Sequence, residues 1–172
     1  MMNNSGMTRV GFLAVGMLVM GLLVLHGPDL AVAAEECTDG ANTFQLRDRF
    51  VEAGFMTRDQ AETLTLPENP VPSSNPYTGQ CDAIVEGGKL YFTWCVQCHG
   101  VKADGISPRW GGYAKDSRRF WAGYSQFIAV VVAGRPKLKM PPWAGVLTPE
   151  QMSYIGAYLE TLALDGANWK DY

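Results

Sequence analysis

The stretch Trp94–Gly100, WCVQCHG, decides how this chain is read. Two cysteines stand three apart, and a histidine follows the second at once. Three chemistries use such a cluster: a structural metal site, a redox dithiol, and the covalent attachment of a haem. A structural zinc site needs four ligands, usually as two pairs. Adjacent Cys98 and His99 are poorly placed to grip one ion together, and the other two cysteines, Cys37 and Cys81, form no second pair. A thioredoxin-type dithiol needs a strand-to-helix junction, and no strand pattern flanks this one. The haem reading uses every residue. The thiols of Cys95 and Cys98 add across the two vinyl groups, and His99 is then held over the iron as an axial ligand.

What surrounds the motif agrees with this. The chain has 172 residues and a formal net charge of −3, and 47% of its residues are apolar. That is room for one modest domain with an appendage. No strongly basic stretch is present, so nucleic acid is not expected as a partner. Near the start, Arg9 precedes an apolar run, Val10–Leu25, broken at Gly27-Pro28 and followed by the small residues Ala31–Ala34. This order describes a secretory signal peptide, with cleavage expected after Ala33 or Ala34. The alternative is a retained anchor, but the run is shorter than the roughly 20 residues a membrane span needs.

Cleavage would leave His99 as the one histidine, so a second axial histidine is excluded within the chain. Methionine is the next soft ligand, and Met56, Met140 and Met152 would remain. Met152 lies on the apolar stripe of a helix, and Met56 lies in an acidic appendage. Met140 lies in KLKMPPW, a loop stiffened by Pro141 and Pro142 that could fix a thioether sulfur at a set height. Met140 is therefore the expected distal ligand; the alternative is an open iron with Met140 packed nearby.

Charge divides the remainder. Residues 35–88 carry 3 basic and 10 acidic side chains, and residues 89–172 carry 10 basic and 6 acidic ones. In the acidic part, Phe44, Leu46, Phe50 and Val51 predict one short helix stopped by Gly54. Thr57 with Gln60 predicts a capping box for a second. The proline-rich LPENPVPSSNPYTG follows as an extended strap. Asp82 is expected to cap a helix running to Cys95, with Gly87 and Gly88 inside it. Another helix is expected over 118–133, ending at Gly134. The clearest helix is LTPEQMSYIGAYLETL, with Thr148 as N-cap, Pro149 at the first position and Gln151 completing a capping box. No alternating strand pattern is seen. Cys37 and Cys81, in an oxidising compartment, are expected to form a disulfide contributing roughly 4 kcal/mol in the loop-entropy model. Two separate buried thiols are the alternative.

A helix with glycines leading into C-x-x-C-H, a later KMPPW loop and an amphipathic last helix together resemble class I c-type cytochromes. The resemblance implies a mostly α fold: three to five helices around one covalently attached haem c, here with an irregular, short-helical N-terminal extension. It implies that the first and last helices cross closely at Gly87 or Gly88 and Gly156. It also implies that Pro108, in GISPRW, accepts a hydrogen bond from His99 through its carbonyl. A narrower segment, NPYTGQCDAIVEGGKLYFTWCVQCHGVKADG, resembles the cytochrome c-L family. Its members accept electrons from pyrroloquinoline-quinone (PQQ) methanol dehydrogenases.

The organisation expected is a signal peptide over 1–34, an acidic extension and strap over 35–81, and a monohaem domain over 82–172. The function expected is periplasmic single-electron transfer, not catalysis, by a monomer. The donor would be a PQQ-dependent methanol dehydrogenase and the acceptor another c-type cytochrome or oxidase. A general carrier to a terminal oxidase is the alternative, with a haem peroxidase or gas-binding sensor behind it. Trp110 and Trp143 are candidates to line the haem edge, or simply core.

Overall fold

The computed structural model describes residues 39–40, 43–67, 71–107, 109, 111–112 and 114–172. They fall in one compact unit, Glu36–Tyr172. The expected signal peptide, Cys37, Pro108 and Trp110 lie outside the described residues. Six α-helices are described: α1 Thr43–Glu52, α2 Arg58–Glu62, α3 Cys81–Trp94, α4 Val96–His99, α5 Tyr124–Ala133 and α6 Pro149–Glu160. Short 3-10 turns occupy Ser117–Arg119 and Pro136–Leu138. A minimal antiparallel hairpin, β1 Ile106–Ser107 with β2 Gly111–Gly112, accompanies the expected mostly α fold.

The helix punctuation works as the sequence implies. Thr57 and Gln60 close a capping box on α2, and Thr148 and Gln151 close one on α6. Each box satisfies two orphan N–H donors at once. Gly54, at φ +76°, follows α1. Pro149 stands at the first position of α6, and Met152, Ile155, Leu159 and Leu162 beyond it are buried.

Two expected starts are corrected. Asp82 does not cap α3: the helix begins at Cys81 with Gln80 as its cap, and Gln80 makes no side-chain bond there. The carboxylate of Asp39, from the extension, instead accepts the Cys81 N–H at 3.3 Å. Asp82 sits within the first turn, where its charge still suits the helix dipole. The helix expected over 118–133 starts only at Tyr124, because Gly123 takes φ +85°. Asp171, near the C-terminus, supplies its missing cap, accepting from the Ser125 N–H at 2.8 Å and the Ser125 hydroxyl at 2.6 Å.

The core is built where α3 crosses α6. A Cβ at Gly87 would overlap the carbonyl of Tyr154, so the two backbones touch there. Tyr91 and Tyr158 meet beside the crossing with ring centroids 5.3 Å apart. Phe50 of α1 joins Tyr158 at 5.5 Å, which brings the extension into the same core. Gly156 is the third correction. It faces Asn75 of the strap and Phe127 of α5, not α3.

The strap itself is tied to α6. Glu160 is 4% exposed, and its carboxylate accepts from Ser73 Oγ at 2.8 Å, Asn75 Nδ2 at 3.1 Å and Thr78 Oγ1 at 2.8 Å. Desolvation raises the pKa of Glu160 above the usual glutamate range, although all three hydrogen bonds pull it down.

Candidate functional site

The motif residues sit at a break between two helices. Cys95 ends α3 and opens α4, at φ −113° and ψ −34°. Its carbonyl accepts from Cys98 N at 3.1 Å and from His99 N at 2.9 Å. Cys95, Cys98 and His99 therefore project from a single turn. Gly100 must follow: it takes φ +77°, and a Cβ there would overlap the carbonyl oxygen of Ile106. The buried Tyr91 hydroxyl donates to the Gly100 carbonyl at 2.6 Å, which fixes the turn to the α3–α6 core.

Cys95 and Cys98 are free thiols, and both are partly exposed. Burial of the sulfur pushes the Cys95 thiol up to about 12, with Cys98 adding to the shift. A reactive dithiol shows the opposite, a depressed thiol pKa. Among the described residues, no three His, Cys, Asp or Glu side chains stand together as an ion site. Burial lowers the His99 pKa, so the imidazole is neutral at pH 7, the form that ligates a metal.

Ser117 is a neighbour of His99 that the sequence reading missed. Its Oγ lies 3.4 Å from His99 Nδ1, and its own N–H is pinned to the Ala103 carbonyl at 2.8 Å. The one local signal was Asp116, which caps the 3-10 turn by accepting from Arg118 N at 3.0 Å. Ser107, beside the expected Pro108, is 3% exposed, and its hydroxyl bonds the Gln97 carbonyl of α4. The loop is thus held against the motif.

Met140 is half-buried and packs on the core. Its loop is closed by a pair of backbone bonds, Arg135 N–H to Met140 O at 2.8 Å and Met140 N–H to Arg135 O at 3.2 Å. Behind it, Trp143 N–H and Ala144 N–H donate to the Val131 and Val132 carbonyls of α5. Gly134, at φ +64°, packs so closely on Pro141 and Pro142 that a side chain would not fit. The Trp143 ring meets Trp94 with centroids 5.6 Å apart, so this loop reaches the end of α3 just before Cys95. Met152 and Met56 are 2% and 5% exposed and serve as core. Cys81 is fully buried and disulfide-bonded.

Comparison with known proteins bears on this arrangement. Residues 82–159 match the family described as cytochrome C oxidase, cbb3-type, subunit III. The match runs from the first turn of α3 to the last turn of α6. Over this segment the chain is similar to c-type cytochrome domains. The chain is also similar to a quinohemoprotein alcohol dehydrogenase, ADH-IIG, of Pseudomonas putida. The two are 34% identical over 111 residues, covering 62% of this chain and 14% of the length of that relative. No solved structure matches the chain.

The cytochrome domain implies covalently bound haem c, and its residues fit that group. Two free thiols and a neutral imidazole share one turn. Trp94 and Ile106, on the segments flanking the motif, are 42% and 61% exposed. Exposed apolar side chains beside the attachment turn would suit an apolar group such as a porphyrin. Electron transfer is the chemistry such a domain serves.

Proposed function

We propose that this chain is a periplasmic electron carrier. It accepts single electrons from a PQQ-dependent methanol or alcohol dehydrogenase and delivers them to a downstream cytochrome or oxidase. The donor assignment rests on the similarity to a quinohemoprotein alcohol dehydrogenase. The shared part is 14% of that relative's length.

In this reading Cys95 and Cys98 would hold the haem by thioether bonds, and His99 and Met140 would ligate its iron. When bound, the haem supplies a one-electron ferric/ferrous couple. Ser117 orients the His99 ring through Nδ1. The pinned loop of residues 135–144 holds the Met140 thioether. With both ligands supplied by the chain, the iron would have no free position for a substrate, which favours carrying electrons over catalysis. Residues 1–34 direct export and are removed, and a Cys37–Cys81 disulfide ties the extension to α3. The carrier acts as a monomer.

Stopped-flow reduction of the ferric protein by substrate-reduced PQQ methanol dehydrogenase, at two salt concentrations, tests the assignment. Fast reduction that varies with salt is expected. Negligible reduction, with normal reduction by a small chemical donor, would refute the partner. The match to an oxidase subunit family favours a second reading, a general carrier to a terminal oxidase. That protein would be oxidised quickly by the oxidase and reduced slowly by the dehydrogenase.

A further inference from the structure

Glu160 ends α6 almost fully buried, and it makes no ion pair among the described residues. Its three partners, Ser73, Asn75 and Thr78, are neutral side chains of the strap. Charged groups on the surrounding elements are engaged elsewhere. On α6, Glu150 accepts from the Tyr77 and Tyr154 hydroxyls at 3.0 and 2.9 Å. On α3, Lys89 pairs with Glu86 at 3.5 Å, and Asp82 lines the groove beside them. On the 3-10 turn, Arg118 and Arg119 lean on Asp116. On α1, Arg47 donates to the Leu64 carbonyl, Asp48 pairs with Arg58, and Arg49 pairs with Glu52. In the tail, Asp171 accepts from Ser125, and Asp165 and Lys170 are exposed. The sequence of α5 holds no charged residue.

The hydrogen-bond pattern fits a protonated carboxyl. Oε1 takes two donors, Ser73 Oγ and Asn75 Nδ2. Ser73 Oγ accepts from the Asn75 N–H at 3.0 Å, so its own proton is left for Glu160. The Asn75 amide is held from both ends: Nδ2 also donates to the Ser153 carbonyl at 2.9 Å, and Oδ1 accepts from the Tyr77 N–H at 3.1 Å. Oε2 lies 2.8 Å from Thr78 Oγ1, and that hydroxyl also lies 2.9 Å from the Asn75 carbonyl. One hydroxyl proton cannot serve both acceptors. With an ionised Glu160, one of these contacts is oxygen against oxygen. With a proton on Oε2, Glu160 donates to Thr78, Thr78 donates to Asn75, and both become hydrogen bonds. Burial favours the same state.

The strap carries the tail with it. Ser74 N–H donates to the Trp169 carbonyl at 3.1 Å, and Ser74 Oγ accepts from the Asp171 N–H at 2.9 Å. The Trp169 carbonyl also accepts from the Tyr124 N–H at 2.9 Å, and Asp171 caps α5 through Ser125. Strap, tail and the start of α5 thus join one residue away from the Ser73–Glu160 bond.

We propose that Glu160 is a single-proton latch: its neutral form locks residues 73–78 and the C-terminal tail in place, and its ionised form loosens both. The closed strap binds this proton more tightly than an open one. The latch is therefore strongest below the ordinary glutamate range and weakens as pH rises through the folded midpoint.

Amide hydrogen exchange of the haem-loaded protein, corrected for the intrinsic pH dependence of exchange, reads the latch. Protection of the Ser74, Asn75, Thr78, Ser125 and Asp171 amides should fall by up to about tenfold per pH unit above about pH 4.3, the limit for one proton, and level off beyond the folded midpoint. In Glu160→Gln the side-chain amide copies the protonated acid, accepting at Oε1 and donating from Nε2, so protection should stay flat with pH. The Glu160 carboxyl-carbon resonance, assigned through bonds in the ferrous parent, should titrate above those of the exposed glutamates, a readout that stands even where the variant fails to fold. A resonance that titrates with the exposed glutamates, parent protection that does not change with pH, or a folded variant that follows the parent would each overturn the proposal.

Discussion

Gly87 is the most tightly packed of the described glycines, and its replacement gives a calculable loss. A methyl group there would overlap the carbonyl oxygen and carbon of Tyr154, which are backbone atoms and cannot rotate aside. α3 and α6 would have to separate along the crossing that buries Tyr91, Ile155 and Tyr158. Overpacking of a core costs about 1–3 kcal/mol, and a rigid obstacle puts this site at the upper end. Alanine recovers about 1 kcal/mol through its better helix propensity. Gly87→Ala should therefore destabilise the protein by about 2 kcal/mol, lowering Tm by roughly 6–10 °C for a domain of this size. The adjacent Gly88 is the control. A methyl group there meets the far end of the Phe55 ring, a side chain that can swing away. Gly88→Ala should stay within about 1 kcal/mol of the parent. Thermal unfolding of the haem-loaded proteins, followed by far-ultraviolet circular dichroism, measures both. A Gly87→Ala protein as stable as the parent, or a larger loss at Gly88, would refute the crossing geometry.

Three other perturbations address the site and its supports. Met140→Ala should open the iron, so that the reduced protein takes up carbon monoxide promptly at neutral pH; unchanged spectra would remove Met140 from the axial position. Ser117→Ala should raise the midpoint potential, because an imidazole without its Nδ1 partner is a weaker donor to ferric iron. A hydrogen bond worth about 0.5–1 kcal/mol corresponds to roughly 20–40 mV, and Ser117→Thr should restore the parent value. Glu160 has a folded-state pKa above its unfolded one, so its contribution to stability is greatest when protonated and is lost as pH rises through the folded value. Urea unfolding across pH should show Glu160→Gln gaining on the parent as pH rises, and the opposite trend would contradict the assignment of burial as the dominant cause.

Much of this was legible because the signals are local. The C-x-x-C-H turn, the two capping boxes and the glycine stops each act within a few residues, and each is found where it was read. The misreadings are long-range. Asp39 caps α3 from 42 positions away, and Asp171 caps α5 from 46 positions away. No periodicity announces such a cap. Gly156 was assigned to the wrong neighbour for a similar reason, since a glycine advertises close approach but not what approaches. Ser117 reaches His99 across 18 residues only because the Ala103–Ser117 bond folds the loop back. The strap looked like a connector, yet its Ser73, Asn75 and Thr78 converge on a buried glutamate that the apolar stripe of α6 concealed.

The most direct measurement is the visible and electron paramagnetic resonance spectrum of the purified haem-loaded protein in both oxidation states, with carbon monoxide added to the reduced form. The account predicts a low-spin haem in each state and negligible carbon monoxide uptake at neutral pH, with His99 and Met140 occupying both faces of the iron. A high-spin ferrous haem that binds carbon monoxide at once would contradict it, and would move the protein from the electron carriers to the ligand-binding haem proteins.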